Sequence, residues 1–416
     1  VSFDESTIKL IVVAKKLLSN EKEKLEFRYT NVTLQVEFQD ISMGRESIKT
    51  ARRVVLKLGT RVITESDNSI AFSVIRSLVK QIYELSRTGR QLIIVSSGAI
   101  ALGLSRMGMT RRPKDIRLLQ AAASMGQSRL MYTYETEFAG CGCVTSQILL
   151  TYEDIRNRQK YLNIRNTIFT LWSFGAIPIV NENDTVSFSE IRFGDNDLLS
   201  AYLANMIDAD LLIILTDTEG LYERDPREHP GAAIVGEVER IDERLMRAAG
   251  PKGSFFSSGG MESKLEAARI ATAGGIGTVI ASGKNEALGN LFKGKDEGTY
   301  FSPSIKKLKG KKRWIAFSPR VSGRIVIDRG GEHAIVRKKK SLLPVGIRDV
   351  SGTFAIGSNI AILNEENKEI ARGLTNFSSE EIELIKGMNT KKIPEVLGVD
   401  TYFEEVVHRD NLVILV

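Results

Sequence analysis

The sequence predicts an α/β protein: a three-layer sandwich around a mainly parallel sheet, followed by a small, mainly-β C-terminal domain. Three observations predict it. Short apolar runs alternate with helix-length amphipathic segments from Arg53 to about Phe301. The runs end in glycine or small polar residues, where strands hand over to helices. After Ser302 the runs shorten and glycine punctuates them. Strands alternating with helices pair in parallel through helical crossovers that cover both faces of the sheet.

Each element follows in order. Val54 to Leu58 is a buried-strand pattern closed by Gly59. Ile70, Val74, Ile75, Leu78, Ile82 and Leu85 have helical spacing and predict a helix from Ile70 to Arg87. Gln91 to Val95 is the next strand, and Ser96-Ser97-Gly98-Ala99 opens another helix. Ile177 to Val180 and Leu211 to Leu215 repeat the theme. Gly274-Gly275-Ile276-Gly277 reads as a turn before a strand at Thr278-Val279-Ile280, because a dinucleotide fingerprint would follow its strand. The expected divisions are an N-terminal extension at 1–52, a catalytic domain at 53–301, a basic linker at 302–321, a β domain at 322–400 and a tail at 401–416. The extension is expected to be foreign to the native protein or disordered, with Met43 a candidate start and a regulatory arm the alternative.

Composition narrows the class. With 42% hydrophobic and 26% charged residues, the chain can bury a real core. No apolar run approaches the ~20 residues of a membrane helix. The run from Ile8 to Ala14 sits among lysines without a cleavage site, so it is a poor signal peptide. Cys141 and Cys143 are too few for a disulfide framework or a four-sulfur zinc site. A reducing, cytoplasmic setting and no membrane partner are expected. The net charge is +7, and its bases concentrate between Lys306 and Arg348, including Arg313. That stretch reads either as a surface for RNA or another anion, or as a solvated face.

Four clusters follow strands, at the edge where ligands of parallel sheets bind. Lys57 lies inside a strand just before Gly59, and a buried lysine needs a compensating anion. Ser96-Ser97-Gly98-Ala99 frees backbone N–H groups at a helix start. Asn181-Glu182-Asn183-Asp184 and Gly194-Asp195-Asn196-Asp197 crowd amides and carboxylates that can grip an ammonium group. Thr216-Asp217 and the glycine loop from Ser258 to Lys264 complete the set. Singly each has a bland explanation as a turn or a solvated loop. Together they suit phosphoryl transfer, which asks for positive charge and positioning and little covalent help. A carboxylate acceptor, already ionised at neutral pH, needs no general base, in keeping with a chain whose histidines number 3. G-x-x-x-x-G-K-[ST] is absent, which argues against a P-loop enzyme. His408-Arg409-Asp410 lies too near the C-terminus to be a protein-kinase catalytic loop.

On Val55-Leu56-Lys57-Leu58-Gly59-Thr60, Ser96-Ser97-Gly98-Ala99-Ile100-Ala101, Gln120-Ala121-Ala122-Ala123, Gly126-Gln127, Asn181 to Asp184, Gly194 to Asp197, Leu215-Thr216-Asp217 and Gly259-Gly260-Met261, the chain resembles the glutamate 5-kinase branch of the amino-acid kinase family. Arg313-Trp314-Ile315, Ser341 to Ile347 and Val407 to Asp410 match the C-terminal PUA domain and tail of its longer members. The resemblance implies ATP-dependent phosphorylation of the side-chain carboxylate of L-glutamate, with Mg2+, as the first step towards proline. It implies proline as feedback inhibitor and a homo-oligomer. Lys57 and Lys264 would meet the ATP phosphates, and Asp197 would hold both lysines. Ser97, Asp184 and Asn196 would bind glutamate. Thr216, Asp217, Ser258, Gly259, Gly260, Met261, Glu262, Ser263 and Lys264 would hold the nucleotide, and no metal ligand falls on the chain itself. Three residues depart from the family pattern: Arg61, Ser258 and Glu262. A kinase for another small amino acid, or an RNA-binding protein acting through the PUA domain, is the alternative.

Overall fold

The computed structural model describes residues 26–29, 32–35, 44–186, 196–226, 228–248, 260–284, 286–303, 310–318, 321–398 and 403–415. Residues 1–42 and 43–416 are separate units. Within the first, β1 (Glu26–Tyr29) and β2 (Val32–Gln35) pair antiparallel.

The second unit is built on a sheet of β3 (Arg53–Leu58), β4 (Gln91–Ser96), β5 (Thr145–Leu150), β6 (Ile177–Glu182), β7 (Leu211–Thr216), β8 (Glu237–Val238), β9 (Gly277–Ser282) and β10 (Thr299–Phe301). Its order is β5-β6-β4-β3-β7-β9-β10-β8. All neighbours are parallel except β9 and β10. The mainly parallel sheet expected from the sequence is therefore present. β6 and β7 are buried along their whole length, which is why Ile177–Val180 and Leu211–Leu215 within them read as unbroken apolar runs.

Alternation along the strands splits the core into two layers. Val54, Leu56, Ile94, Ile213 and Leu215 face the helices Phe72–Ser86 and Ile116–Ala139. Val55, Ile93, Val95, Val180, Leu212 and Ile214 face the helices Asn196–Met206 and Met261–Ala273. Lys57 shares the parity of Val55, so its side chain belongs to the layer that holds the Asn196 helix. That one fact positions the site. The Ala99–Arg106 and Ile116–Ala139 helices approach so closely that a Cβ on Gly126 would lie 1.8 Å from the Ala99 carbonyl oxygen.

A second sheet, of order β12-β11-β13-β14-β15, comprises β11 (Gly323–Ile327), β12 (Ile347–Ser351), β13 (Asn359–Leu363), β14 (Glu369–Leu374) and β15 (Leu412–Ile414). It encloses its own core around Ile325, Ile362 and Phe377. Inside the stretch read as a linker stands a helix, Gly310–Phe317, joined to both parts. Its Arg313 is 1% exposed, donates to the Gly274 carbonyl at 3.0 Å and pairs with Asp208 at 3.2 Å. Trp314 donates to the Ile155 carbonyl at 3.2 Å and meets the Tyr161 ring edge to face. From the other side, Asn359 donates to the Ile315 carbonyl and Arg372 to the Ala316 and Ser318 carbonyls. Arg313 thus corrects one sequence expectation: it is a buried structural cation and no part of an exposed basic face.

Candidate active site

β3 delivers Lys57 near its carboxyl end, and the Asn196–Met206 helix delivers Asp197 opposite it on the same layer. Lys57 Nζ lies 2.5 Å from Asp197 Oδ1. Lys264, in the first turn of the Met261 helix, places Nζ 3.2 Å from Asp197 Oδ2, and Ser263 donates to the same oxygen at 2.8 Å. Lys57 is 5% and Asp197 3% exposed. Burial raises the Asp197 carboxyl pKa, but the charges of Lys57 and Lys264, with the Lys57 and Ser263 hydrogen bonds, outweigh it and bring the pKa to about 2. One carboxylate therefore holds two ammonium groups at the sheet edge, ready for an anion.

The other side of the site is built from β4 and β6. The Asn196 amide donates to the Ser96 carbonyl at 3.1 Å, to Ser97 Oγ at 3.1 Å and to Asn181 Oδ1 at 2.9 Å. Asn181 in turn donates to Gln127 at 2.7 Å, and Ser96 Oγ meets the Tyr134 hydroxyl at 2.9 Å. This buried web ties the ends of β4 and β6 to the start of the Asn196 helix, so Asn196 braces Ser97. Both Gly98 and Gly260 cap helices with φ near +100°, a conformation glycine adopts without strain, and leave N–H groups at the following turn directed outward.

A cavity of about 710 Å³ lies over these strand ends, lined in part by Thr60, Ser97, Gly98, Asp184, Asn196 and Asp217. Asp184 is half-buried; desolvation pushes its carboxyl up to about 6, with the Arg112 charge working against the rise. Thr216 donates to Asp217 Oδ1 at 3.1 Å, and Arg61 pairs with Asp217 Oδ2 at 3.1 Å. Burial raises the Asp217 pKa, but the Arg61 and Thr216 hydrogen bonds leave it below the usual value. Arg61, a departure from the family pattern, thus bridges the turn after β3 to the end of β7.

Most of the residues singled out in the sequence converge here. Lys57, Lys264 and Asp197 form one triad, and Ser97, Asn196 and Asp184 stand together on the cavity. Thr216 ends β7, and Asp217, the next residue, also lines the cavity. Gly260, Glu262 and Ser263 open the Lys264 helix, with Glu262 exposed. Met261 puts its side chain into the core, so only its backbone is available to a ligand. Ser258, Gly259, Gly194 and Asp195 lie outside the described residues. Sequence reading missed Arg112 and Lys284, both on the cavity, and the bracing Tyr134, and it gives Gln127 only as part of a motif. Arg112 stands in an Arg-Arg-Pro-Lys segment that reads as an ordinary charged loop.

This fold and site define a parallel α/β protein that gathers lysines for an anionic ligand at its strand ends. The amino acid kinase family matches residues 52–282, and the PUA domain matches residues 323–397. Glutamate 5-kinase of Pelobacter propionicus is 44% identical over 374 residues, covering 90% of this chain and 100% of its own. That of Geobacter sulfurreducens is 45% identical over 365 residues, 88% of this chain and 98% of its own. The Thermoanaerobacter sp. enzyme is 43% identical over 364 residues, with 87% and 98% covered. The chain belongs to the amino acid kinase family, in its glutamate 5-kinase branch, and carries a C-terminal PUA domain.

Proposed function

We propose that the chain transfers the γ-phosphoryl group of ATP to the side-chain carboxylate of L-glutamate, giving γ-glutamyl phosphate and ADP, the first step towards proline. The observation that carries the reading is the Lys57–Asp197–Lys264 triad beside a cavity floored by Ser97 and Asn196. An acceptor carboxylate oxygen forms the new P–O bond while the bond to the β-phosphate oxygen breaks, and ADP leaves with that electron pair. Lys57 and Lys264 stabilise the negative charge spread over the transferring oxygens, a role worth several kcal/mol in a dry, preorganised site. Asp197 fixes both lysines and stays ionised throughout, as a carboxyl with a pKa of about 2 does. No proton is removed, because the acceptor is already a carboxylate.

On this reading Asp184, Ser97 and Asn196 bind the acceptor, and Thr216, Asp217 and the turn from Ser258 to Lys264 hold the nucleotide. Among the described residues no group of three or more His, Cys, Asp or Glu could hold a metal. Mg2+ enters as part of the MgATP substrate, carried on its phosphates. Among the described residues no helix is long and apolar enough to cross a membrane. A cytoplasmic location, proline as feedback inhibitor and a homo-oligomer belong to the same proposal, as does a regulatory use of the PUA domain.

The test is ADP release with L-glutamate, L-aspartate and N-acetyl-L-glutamate, with hydroxylamine trapping of the acyl phosphate. L-Glutamate should be strongly preferred and give the hydroxamate. Preference for either other acid would overturn the substrate assignment.

A further inference from the structure

L-Glutamate presents three charges, and the site as described answers two of them. Its reacting carboxylate faces the lysines, and Asp184 offers an anion for its ammonium group. Ser97 and Asn196 carry no charge, so the α-carboxylate has no cation assigned to it. The amides of Asn181 and Asn196 are already engaged with one another, with Ser96 and Ser97 and with Gln127.

Among the described residues, three cations line the cavity: Arg61, Arg112 and Lys284. Strand order separates them. Asp184 and Ser97 follow β6 and β4, on one side of β3; Asp217 and Lys284 follow β7 and β9, on the other. Arg61 is committed to Asp217 at 3.1 Å, on the β7 side. Arg112 lines the same cavity as Asp184, and of the three it is the one whose charge acts on the Asp184 carboxyl. It comes from the segment between the Ala99 and Ile116 helices, exposed at the mouth of the cavity. A guanidinium offers a fork of donors that matches a carboxylate.

We infer that Arg112 is the specificity residue for the α-carboxylate of the acceptor, forming with Asp184 a charge pair that reads the amino-acid end of the substrate. The inference rests on the glutamate-kinase reading above. It follows that acceptors bearing a terminal carboxylate and an amine, but no α-carboxylate, are rejected at Arg112.

The experiment compares the wild type with Arg112→Gln and Arg112→Lys on L-glutamate and on 4-aminobutyrate, which is glutamate without its α-carboxylate. Arg112→Gln should raise the glutamate KM about 10- to 100-fold, as loss of a charge-assisted hydrogen bond does. The kcat and the KM for ATP should stay within about twofold. Arg112→Lys should recover part of the loss. Activity on 4-aminobutyrate should change little, so the ratio of the two kcat/KM values falls. An unchanged glutamate KM, or equal losses on both acceptors, would overturn the assignment; equal losses would mean that Arg112 only orients Asp184. A wild-type enzyme inactive on glutamate but active on another acid would sink the parent reading instead, and this one with it.

Discussion

Asp197 arbitrates between the two lysines, and the burial of each predicts how its loss is felt. If both act on the charge of the transition state as proposed, Lys57→Ala and Lys264→Ala should each lower kcat about 100-fold or more, with little change in the glutamate KM. Removing either lysine strips the desolvated Asp197 carboxylate of a partner and should also lower the melting temperature, more for Lys57, which is the closer and the more buried. Steady-state kinetics and thermal melts of the pair check this; near-wild-type turnover in either variant removes that lysine from the mechanism. Asp184 carries the opposite strain. Its folded pKa, about 6, exceeds the ordinary carboxyl value, so the folded state binds the proton more tightly than the unfolded one. The stability it contributes is therefore present at low pH and is lost as pH rises from about 4 to about 6. Asp184→Asn should stabilise the protein at pH 8 by an amount on the order of 1 kcal/mol, after discounting for solvent screening. That gain should vanish near pH 4, while the glutamate KM rises at neutral pH. A loss of stability at pH 8 would show that the Asp184 charge is well compensated in the free enzyme.

At the scale of elements, the site depends on the spacing of two helices. The Ala99–Arg106 helix begins where Ser97 and Gly98 end, and it is pressed against the Ile116–Ala139 helix through Gly103 and Gly126. A methyl on Gly126 meets the backbone oxygen of Ala99, which cannot swing aside as a side chain can. Gly126→Ala should cost about 3 kcal/mol. It should also lower kcat/KM for glutamate, because the helix start that carries Ser97 must shift. Urea unfolding and kinetics test the two effects separately; an unfolding midpoint equal to that of the wild type would mean the helices separate freely. The Asn196 helix shows a different dependence. Its first residues supply Asn196 and Asp197, and just past its end Asp208 pairs with Arg165 at 3.1 Å and with Arg313.

For the whole molecule, that chain of contacts matters. Truncation after Phe301 leaves the larger sheet complete but uncovers Asp208, Ile155 and Tyr161, whose partners lie on the Gly310–Phe317 helix. Truncation after Ser318 retains that helix and loses only its contacts to the PUA domain. The shorter form should melt well below the longer one, by an amount comparable to the ~3 kcal/mol of breaking a buried ion pair plus the uncovered apolar surface. Both forms should phosphorylate glutamate at 25 °C, since every proposed ligand lies between Lys57 and Lys284. Equal melting temperatures would show the helix to be a passive connector. A folded but inactive longer form would mean that the PUA domain contributes to the site.

Local, periodic features were legible in the amino-acid sequence. The apolar runs at Val54–Leu58, Gln91–Val95, Ile177–Val180 and Leu211–Leu215 matched strands to within a residue or two, because fully buried parallel strands leave no polar face to blur the pattern. Lys57 stood out for the same reason, as a charge where the period demanded an apolar residue. The tertiary structure decided what depends on approach from elsewhere in the chain. Strand order put Asp184 and Ser97 on one side of Lys57 and Asp217 on the other. Packing turned Arg313 inward from a basic stretch and set Arg112 on the same cavity as Asp184. A charged side chain reads alike in sequence whether water or a buried carboxylate faces it. Only the fold supplies the partner, and with it the difference between a solvated loop and a binding site.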